Sequence, residues 1–288
     1  MNDRNAEEKI VLLTGATDGL GRALAARLVD DGVSLILHGR NQERIDAAVR
    51  ELREHKTGAR IFPYRADLAS LGQTRALAAE IERDFPRLDV LINNAGIGSG
   101  KDAAVRAVSE DGYELRFAVN YLAGFALTTA LLPLLEQSPA ARIVNVASIG
   151  QSDLDFDDVM LERNYSGRRA YTQSKLAQIL FTFELADRLR AAGETHIAVN
   201  AVHPSSLMPT KMVFEAWDHT LSTIEQGVEA VHRLAVAPQF EGVSGRYFDV
   251  LEESRARKQA YDPQARRQLW ERSEELFASV AAQAPSQT

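Results

Sequence analysis

The sequence predicts an α/β protein: a doubly wound parallel sheet of about seven strands with helices on both faces, folded as a single domain. Short apolar runs without polar alternation recur along the chain, which is typical of strands buried on both faces of a parallel sheet. Segments with apolar residues at helical spacing separate these runs, and strands that alternate with helices build such sheets. No stretch rich in proline, glycine and serine divides the 288 residues, so the pattern favours one domain.

The predicted elements follow one another in a regular order. The strands span residues 9–13, 33–37, 60–65, 88–92, 142–147, 197–202 and 246–250. The helices span residues 20–31, 42–54, 71–85, 110–135 and 171–192. Gly32 and Gly193 stand directly after two of these helices, where a left-handed residue commonly ends a helix. A helical extension is expected over about residues 251–280, followed by a frayed polar tail.

The composition excludes several kinds of site. A net charge of −7 gives no general attraction to nucleic acid or to an anionic membrane. The chain has no cysteine, so it offers no disulfide, thiolate nucleophile or cysteine-ligated metal, and no metal site is predicted. The charged start of the chain differs from a signal peptide, and no run of about 18 apolar residues is evident. The expectation is a cytoplasmic protein without a membrane anchor.

A glycine-rich segment joins the first predicted strand to the first predicted helix. Glycines permit a tight turn and a close approach of the backbone to a pyrophosphate, which the free N–H groups of the helix N-terminus then bind. Glycines alone could be mere turn formers, but the strand–turn–helix context predicts a dinucleotide site. Its predicted contacts are Thr14, Gly15, Thr17, Asp18, Gly19, Leu20 and Gly21.

The end of the second predicted strand indicates which dinucleotide binds. In dinucleotide folds a carboxylate there binds the ribose 2′-hydroxyl, whereas an arginine accommodates a 2′-phosphate. Arg40 occupies this place without a carboxylate at the strand end, and a guanidinium binds phosphate through two hydrogen bonds. NADP(H) is therefore the predicted cofactor, with Arg22 as an assisting contact. Asp18 argues against a nearby phosphate, and Arg40 could instead be a solvated loop charge.

A tyrosine and a lysine lie four residues apart in the predicted helix 171–192. Tyr171 and Lys175 therefore share one helix face, and a neighbouring ammonium lowers the pKa of a phenol from about 10. Such a tyrosine can exchange a proton with a substrate oxygen. Together with the glycine-rich segment, which matches T-G-x-x-x-G-x-G, this Y-x-x-x-K pair resembles the short-chain dehydrogenase/reductase family, whose members have a Rossmann fold.

The resemblance covers about residues 14–249 and implies further roles. Ser148 would orient the substrate carbonyl, and Asn120 would hold a water in a proton relay that leads to Lys175. Lys175 would also bind the nicotinamide ribose. The other cofactor contacts implied are Asp67, Leu68, Asn94, Ala95, Gly96, Tyr171, Pro204 and Ser206.

The sequence departs from the family pattern in two places, and a further segment bears on the substrate. Ser148 and Tyr171 are 23 positions apart, which is longer than usual. The extra residues, 151–169, resemble an insertion in the subgroup of retinol dehydrogenases and protochlorophyllide reductases; the aspartates in it predict a solvated loop rather than a metal site. Ser205 replaces a usual glycine, so the backbone beside the nicotinamide is expected to differ. Residues 205–225 would form a lid or a packed helix, and an apolar lid predicts an apolar substrate.

The leading hypothesis is an NADPH-dependent oxidoreductase that interconverts a ketone or aldehyde and an alcohol of a bulky apolar small molecule. Reduction of a C=C bond on the same scaffold and dinucleotide binding without catalysis are the alternatives. The complete set Asn120, Ser148, Tyr171 and Lys175 argues against a non-catalytic protein. Members of the family often assemble through the helices that hold Asn120 and Tyr171, so a homodimer or homotetramer is expected.

Overall fold

The computed structural model describes residues 8–100, 102–216 and 218–283, with only the backbone of residues 281–283. Its strands are β1 (Ile10–Leu13), β2 (Ser34–Gly39), β3 (Ile61–Arg65), β4 (Val90–Asn93), β5 (Ala141–Val146), β6 (Ile197–His203), β7 (Arg246–Asp249) and β8 (Glu252–Glu253). They form one sheet in the order β3-β2-β1-β4-β5-β6-β7-β8, parallel except for the antiparallel pair β7–β8. This confirms the predicted doubly wound sheet. The strand order reverses between β1 and β4, and ligands bind at such a reversal.

Helices cover both faces of the sheet. They are α1 (Gly19–Asp31), α2 (Gln42–His55), α3 (Leu71–Asp84), α4 (Ala123–Glu136), α5 (Gly167–Ala192), α6 (Lys211–Phe214), α7 (Ile224–Val236) and α8 (Pro263–Gln283). A π-helical turn, Phe117–Leu122, leads into α4. Apolar side chains of α1, α2 and α7 build the core on one face, and those of α3, α4, α5 and α8 build the core on the other.

Three predicted helical segments were wrong in extent, and two elements were not predicted. Residues 110–114 precede the helix and include a bridge between Val108 and Glu114 rather than helical turns. Helix α5 begins four residues before Tyr171, because Ser166 caps it by accepting a hydrogen bond from the backbone nitrogen of Arg169. Helix α7 and strand β8 had not been predicted. The extension is helical only from residue 263, apart from a 3₁₀ turn, Lys258–Tyr261.

The C-terminal helix α8 packs across the face of the π-helical turn, α4 and α5. Trp270 stacks on Phe181 with ring centroids 5.9 Å apart and meets Phe125 edge-on at 5.1 Å. The hydroxyl groups of Tyr121 and Ser273 are hydrogen-bonded at 2.7 Å. The extension beyond the sheet is therefore part of the main core, and it covers an apolar surface of the two central helices.

One helical stretch, Phe117–Glu136, is long and apolar enough to cross a membrane by length and composition alone, with a mean hydropathy of 1.6. This stretch is not an unbroken apolar run, since it contains Asn120, Thr128 and Thr129. About two thirds (67%) of the stretch is buried inside the protein, as expected for a central helix between a sheet and a covering helix. The cytoplasmic location stays a prediction.

The insertion, residues 151–169, is attached to the rest of the protein rather than fully solvated. Leu154 and Leu161 are buried in it. The Gln259 side chain donates to the Leu154 carbonyl at 3.0 Å and accepts from its backbone nitrogen at 2.7 Å. Asp153 pairs with Arg257 at 2.7 Å. The aspartates therefore help to attach the insertion, and the described residues contain no group of three or more His, Asp or Glu that could hold a metal ion.

Candidate active site

The glycine-rich segment forms the turn between β1 and α1, at the edge of the sheet where the parallel strands end. Gly15 and Gly19 have φ angles of +67° and +48°, in the left-handed region that favours glycine. A Cβ atom on Gly21 would lie 2.1 Å from the backbone oxygen of Gly15, so no larger residue fits there. The glycines thus keep side chains out of the turn and let its backbone pack closely beneath the helix N-terminus. A pyrophosphate site requires such a turn.

Hydrogen bonds join this turn to the end of β4. The Thr14 hydroxyl donates to the Ile92 carbonyl at 3.2 Å and accepts from the backbone nitrogens of Asn94 and Ala95, both at 3.0 Å. The Asn94 amide donates to the carbonyls of Thr14 at 2.9 Å and Gly15 at 3.2 Å. The two segments assigned to the cofactor by sequence therefore lie side by side at the strand-order reversal.

A buried histidine on β2 supports the turn from below. His38 Nδ1 accepts from the Gly15 backbone nitrogen at 3.2 Å, and Nε2 lies 3.1 Å from the Ala66 carbonyl. A carbonyl only accepts, so Nε2 carries the hydrogen and the imidazole is neutral. Burial lowers the pKa of His38 from 6.5 to about 4. His38 is thus a packed strand residue whose hydrogen bonds also hold the turn.

Charged side chains flank the N-terminus of α1. One carboxylate oxygen of Asp18 caps the helix by accepting from the Gly19 backbone nitrogen, and the other pairs with Arg44 Nη1 at 3.1 Å. Arg22 pairs with Glu51. The exposed guanidinium of Arg40 makes no hydrogen bond or ion pair within the described part of the chain. The Asp18 charge is thus compensated, whereas the Arg40 charge is free to meet a ligand.

The side chains of four other predicted cofactor contacts have different surroundings. Leu20 and Leu68 are 8% and 6% exposed, so their side chains belong to the core. The Asp67 carboxylate accepts from the Ala69 backbone nitrogen at 2.9 Å and shapes the loop after β3. Thr17 lies over the end of β2, where a Cβ atom on Gly39 would come within 2.6 Å of its methyl group.

Ser148, Tyr171 and Lys175 meet where β5 ends and α5 begins. The Ser148 hydroxyl accepts from the Gly150 backbone nitrogen at 3.0 Å, and a Cβ atom on Gly150 would lie 3.5 Å from the Ser148 hydroxyl oxygen and 4.0 Å from Tyr171 Cε1. The Lys175 ammonium lies 5.8 Å from the centroid of the Tyr171 ring. The structure therefore brings together Ser148 and Tyr171, which were predicted to act on the substrate oxygen, and Lys175, which was predicted to act on the phenol.

The electrostatics of this group differ from the expectation. Burial raises the pKa of Tyr171 above 10.0, and the hydrogen bond with Ser148 offsets part of this rise. Burial also lowers the pKa of Lys175 from 10.5 to about 7. The lysine was expected to lower the pKa of the phenol, but its hydrogen bonds go elsewhere: to the carbonyl of Val146 at 2.8 Å and to Gln178 Oε1 at 3.0 Å.

Asn120 occupies the middle of the π-helical turn, a distortion that is frequent at functional sites. Its Oδ1 accepts from the Ile97 backbone nitrogen at 2.8 Å, and its Nδ2 donates to the Ile97 carbonyl at 3.1 Å and to the Ser174 hydroxyl at 2.9 Å. A Cβ atom on Gly96 would lie 3.3 Å from Asn120 Oδ1 and 3.6 Å from Lys175 Nζ. Asn120 is thus near the lysine, but both of its amide hydrogens already bind protein atoms.

The segment after β6 carries the predicted contacts Pro204 and Ser206. His203 Nε2 and the Ser206 hydroxyl are hydrogen-bonded at 3.0 Å. Ser205, which stands where the family has glycine, is buried and does not have a positive φ. The left-handed residue is Leu207, with a φ of +47°. The expected difference in backbone path from the family stays a prediction.

Hydrogen bonds join the two ends of the segment 206–222, and the segment extends to the loop after β4. The Leu221 backbone nitrogen donates to the Leu207 carbonyl at 3.1 Å, and the Ser222 hydroxyl donates to the Ser206 carbonyl at 2.5 Å. A Cβ atom on Gly98 would come within 2.9 Å of Met212, so this segment touches the loop after β4. Helix α6 contains no buried residue, which favours a lid over a packed core helix. Trp217 lies outside the described residues.

The fold and the site define a class: an oxidoreductase with a dinucleotide turn beside a serine, a tyrosine and a lysine. The family model described as short chain dehydrogenase matches residues 9–220. The chain belongs to this family, whose enzymes use a nicotinamide dinucleotide and act on alcohol and carbonyl groups.

Relatives and solved structures match most of the chain. Retinol dehydrogenase 14 of Homo sapiens is 38% identical over 92% of this chain and 85% of its own, and polyprenol dehydrogenase of Homo sapiens is 32% identical over 93% and 85%. An uncharacterized protein from Mycobacterium paratuberculosis superposes with a TM-score of 0.76 at 29% identity, covering 95% of this chain and 94% of that one. A short chain dehydrogenase from Shigella flexneri, complexed with NADP, has a TM-score of 0.68 at 27% identity, covering 85% and 97%.

Proposed function

We propose that this protein is an NADPH-dependent oxidoreductase that interconverts an aldehyde or ketone and the corresponding alcohol of a bulky apolar small molecule. The observation that carries the proposal is the meeting of Ser148, Tyr171 and Lys175 beside the glycine turn, at the reversal of the strand order. The nicotinamide supplies or receives the hydride when the cofactor is bound.

The residues of the site divide the remaining work. Ser148, held by the Gly150 nitrogen, directs its hydroxyl toward the substrate oxygen and stabilises the charge that develops there. Tyr171 exchanges the proton with that oxygen. Its raised pKa keeps the phenol protonated at neutral pH, which suits proton donation to a carbonyl during reduction. Lys175 lies beside Gly96, which is one of the predicted cofactor contacts.

The preference for NADPH rests on two arginines. Within the described part of the chain the Arg40 guanidinium makes no hydrogen bond or ion pair, and it stands at the end of β2, where a 2′-phosphate would lie. Asp18, which argued against a phosphate, is compensated by Arg44 at 3.1 Å. The net local charge therefore favours a phosphate more than the sequence alone suggested.

The apolar substrate is supported by side chains around the site. Ile149, directly after Ser148, is 55% exposed, and Phe214 and Leu221 on the lid segment are 59% and 69% exposed. Exposed large apolar residues on the segments that border a site favour an apolar ligand. Relatives named for retinol and polyprenol, both apolar alcohols, agree with this substrate class.

The cofactor proposal is tested by titrating the wild-type chain and an Arg40→Ala variant with NADPH and NADH, followed by fluorescence. We expect tighter binding of NADPH, and a roughly 10- to 100-fold loss of NADPH affinity in the variant, because charge-assisted hydrogen bonds contribute about 1.5–3 kcal/mol. NADH affinity should change little. Arg50→Ala, an exposed arginine on α2, is the control. Equal affinity for both cofactors would refute the Arg40 assignment.

The substrate proposal is tested with NADPH and a series of straight-chain aldehydes, together with all-trans-retinal. We expect kcat/KM to rise with the apolar surface of the aldehyde, since each buried methylene contributes about 0.8 kcal/mol. Product analysis should show an alcohol with its C=C bonds intact. Saturation of a C=C bond would instead support the alternative reductase, and no turnover with any carbonyl would contradict the proposal.

A further inference from the structure

The catalytic lysine is held by a side chain that the motif does not include. Lys175 is 4% exposed, and its ammonium donates to the Val146 carbonyl at 2.8 Å and to Gln178 Oε1 at 3.0 Å. Gln178 lies three residues further along α5, on the same side of the helix. It is itself 3% exposed, although its neighbours Leu176 and Ile179 are apolar core residues. A buried amide in such a stretch is expensive unless it has a partner, and here the partner is the lysine.

Gln178 is in turn fixed by a chain of buried polar groups. The Thr182 hydroxyl donates to the Gln178 backbone carbonyl at 2.8 Å, and the Asn145 amide donates to the Thr182 hydroxyl at 2.8 Å. Asn93, at the end of β4, donates to Asn145 Oδ1 at 2.9 Å. All four residues are at most 5% exposed. The helix turn that carries Gln178 is therefore tied through β5 to β4, the strand that leads into the cofactor cleft.

The groups around Lys175 make the Gln178 amide important for stabilising its charge. Within the described residues no carboxylate pairs with this ammonium, and the ionisable groups that face it are Tyr171 on its own helix and His203 on β6. His203 also interacts with Asp249 on β7. Two neutral carbonyl oxygens thus supply the direct stabilisation of a buried cation, and only one of them belongs to a side chain.

We propose that Gln178 is a positioning residue for Lys175: its carbonyl oxygen fixes the ammonium beside Tyr171 and favours the protonated form of the lysine. This inference rests on the proposed function for its catalytic meaning, although the contact itself can be tested without turnover. Removing the acceptor should release the ammonium and make protonation harder. Replacing the amide with a carboxylate should make protonation easier.

The test follows the titration of Lys175 by NMR in full-length protein labelled with ε-13C lysine. The chain has six lysines, at positions 9, 56, 101, 175, 211 and 258, so the spectrum is simple and a Lys175→Met variant assigns the resonance. In Gln178→Met we expect the titration midpoint of Lys175 to fall by about one pH unit or more, and in Gln178→Glu to rise by a similar amount. Gln173→Met is the matched control.

Gln173 makes that control informative because it is a buried glutamine on the same helix with different contacts. It is 1% exposed, donates to the Val159 carbonyl at 2.9 Å and accepts from the Asp155 backbone nitrogen at 3.3 Å, so it holds the insertion and not the lysine. Its loss should perturb the fold about as much without moving the Lys175 midpoint. Gln178→Asn, with a shorter amide, should move the midpoint less than Gln178→Met.

The pH profile of aldehyde reduction gives the second readout. Activity that requires protonated Lys175 should decline at lower pH in Gln178→Met and at higher pH in Gln178→Glu than in the wild type. Opposite NMR shifts support the proposal even if no aldehyde is reduced, which would count against the proposed function alone. A Lys175 midpoint unchanged in both folded Gln178 variants, or moved equally by Gln173→Met, would overturn it. If Gln178→Glu does not fold, the Gln178→Met shift decides.

Discussion

Replacing His38 with glutamine should remove an acid sensitivity that is built into the dinucleotide turn. The folded protein holds this imidazole neutral, with a pKa of about 4 against 6.5 for an exposed histidine. Between these two values the unfolded chain binds a proton that the folded protein does not accept, so stability falls as the pH falls. A difference of about 2.5 pKa units corresponds to about 3 kcal/mol in full, of which about 2 kcal/mol should be lost between about pH 7 and about pH 5.

Urea denaturation, followed by circular dichroism at a series of pH values, measures this loss. Glutamine does not titrate, and its amide can still accept from the Gly15 nitrogen and donate to the Ala66 carbonyl. The wild-type chain should therefore lose about 2 kcal/mol relative to His38→Gln on going from about pH 7 to about pH 5. His203, whose pKa burial also lowers, is present in both chains and cancels in the difference. A stability difference between the two proteins that does not change with pH would refute the reasoning.

Three further substitutions test other parts of the structure. Tyr171→Phe should lower aldehyde reduction by about 10²- to 10⁴-fold, the usual contribution of a general acid, while the NADPH affinity measured by fluorescence stays near that of the wild type. Gly21→Ala should destabilise the protein by about 1–3 kcal/mol in urea denaturation and weaken NADPH binding, because its methyl group would meet the Gly15 oxygen; unchanged binding would contradict the turn assignment. Trp270→Ala should cost about 3–5 kcal/mol in the same denaturation assay, whereas a loss below about 1 kcal/mol would show that α8 is not part of the core.

Much of the fold could be predicted because the central strands β1, β2 and β4 lie between two helical layers and contain runs of apolar residues. The elements that were missed lack this signal. Strand β8 has two residues, both exposed glutamates, so its pairing with β7 depends on the chain reversing at Val250, with a φ of +53°, rather than on any apolar pattern. Helix α7 follows the segment 206–222. Its buried apolar residues do recur at helical spacing, so the sequence contained a signal for it.

The site was predictable where chemistry fixes the spacing of residues along the chain. Tyr171 and Lys175 are four apart on one helix, and the glycines follow one another in a single turn. The compensation of Asp18 by Arg44 joins two different helices, so no local pattern reveals it. The sequence does contain a signal for Gln178, because an amide among apolar helix residues needs a buried hydrogen-bond partner. Which partner it has depends on side-chain directions that only the structure gives.

The position of α8 has a consequence for how the chain behaves in solution. The resemblance assigns subunit contacts to the helices that hold Asn120 and Tyr171, yet Trp270 and Ser273 of the same chain already cover the apolar side of these helices. Helix α8 therefore covers part of the surface that the resemblance assigns to subunit contacts, and its own contact is intramolecular. Protection of that face therefore does not depend on protein concentration. A homodimer or homotetramer stays a prediction that would need either another surface or the release of α8, so dilution should leave the melting temperature of this region unchanged.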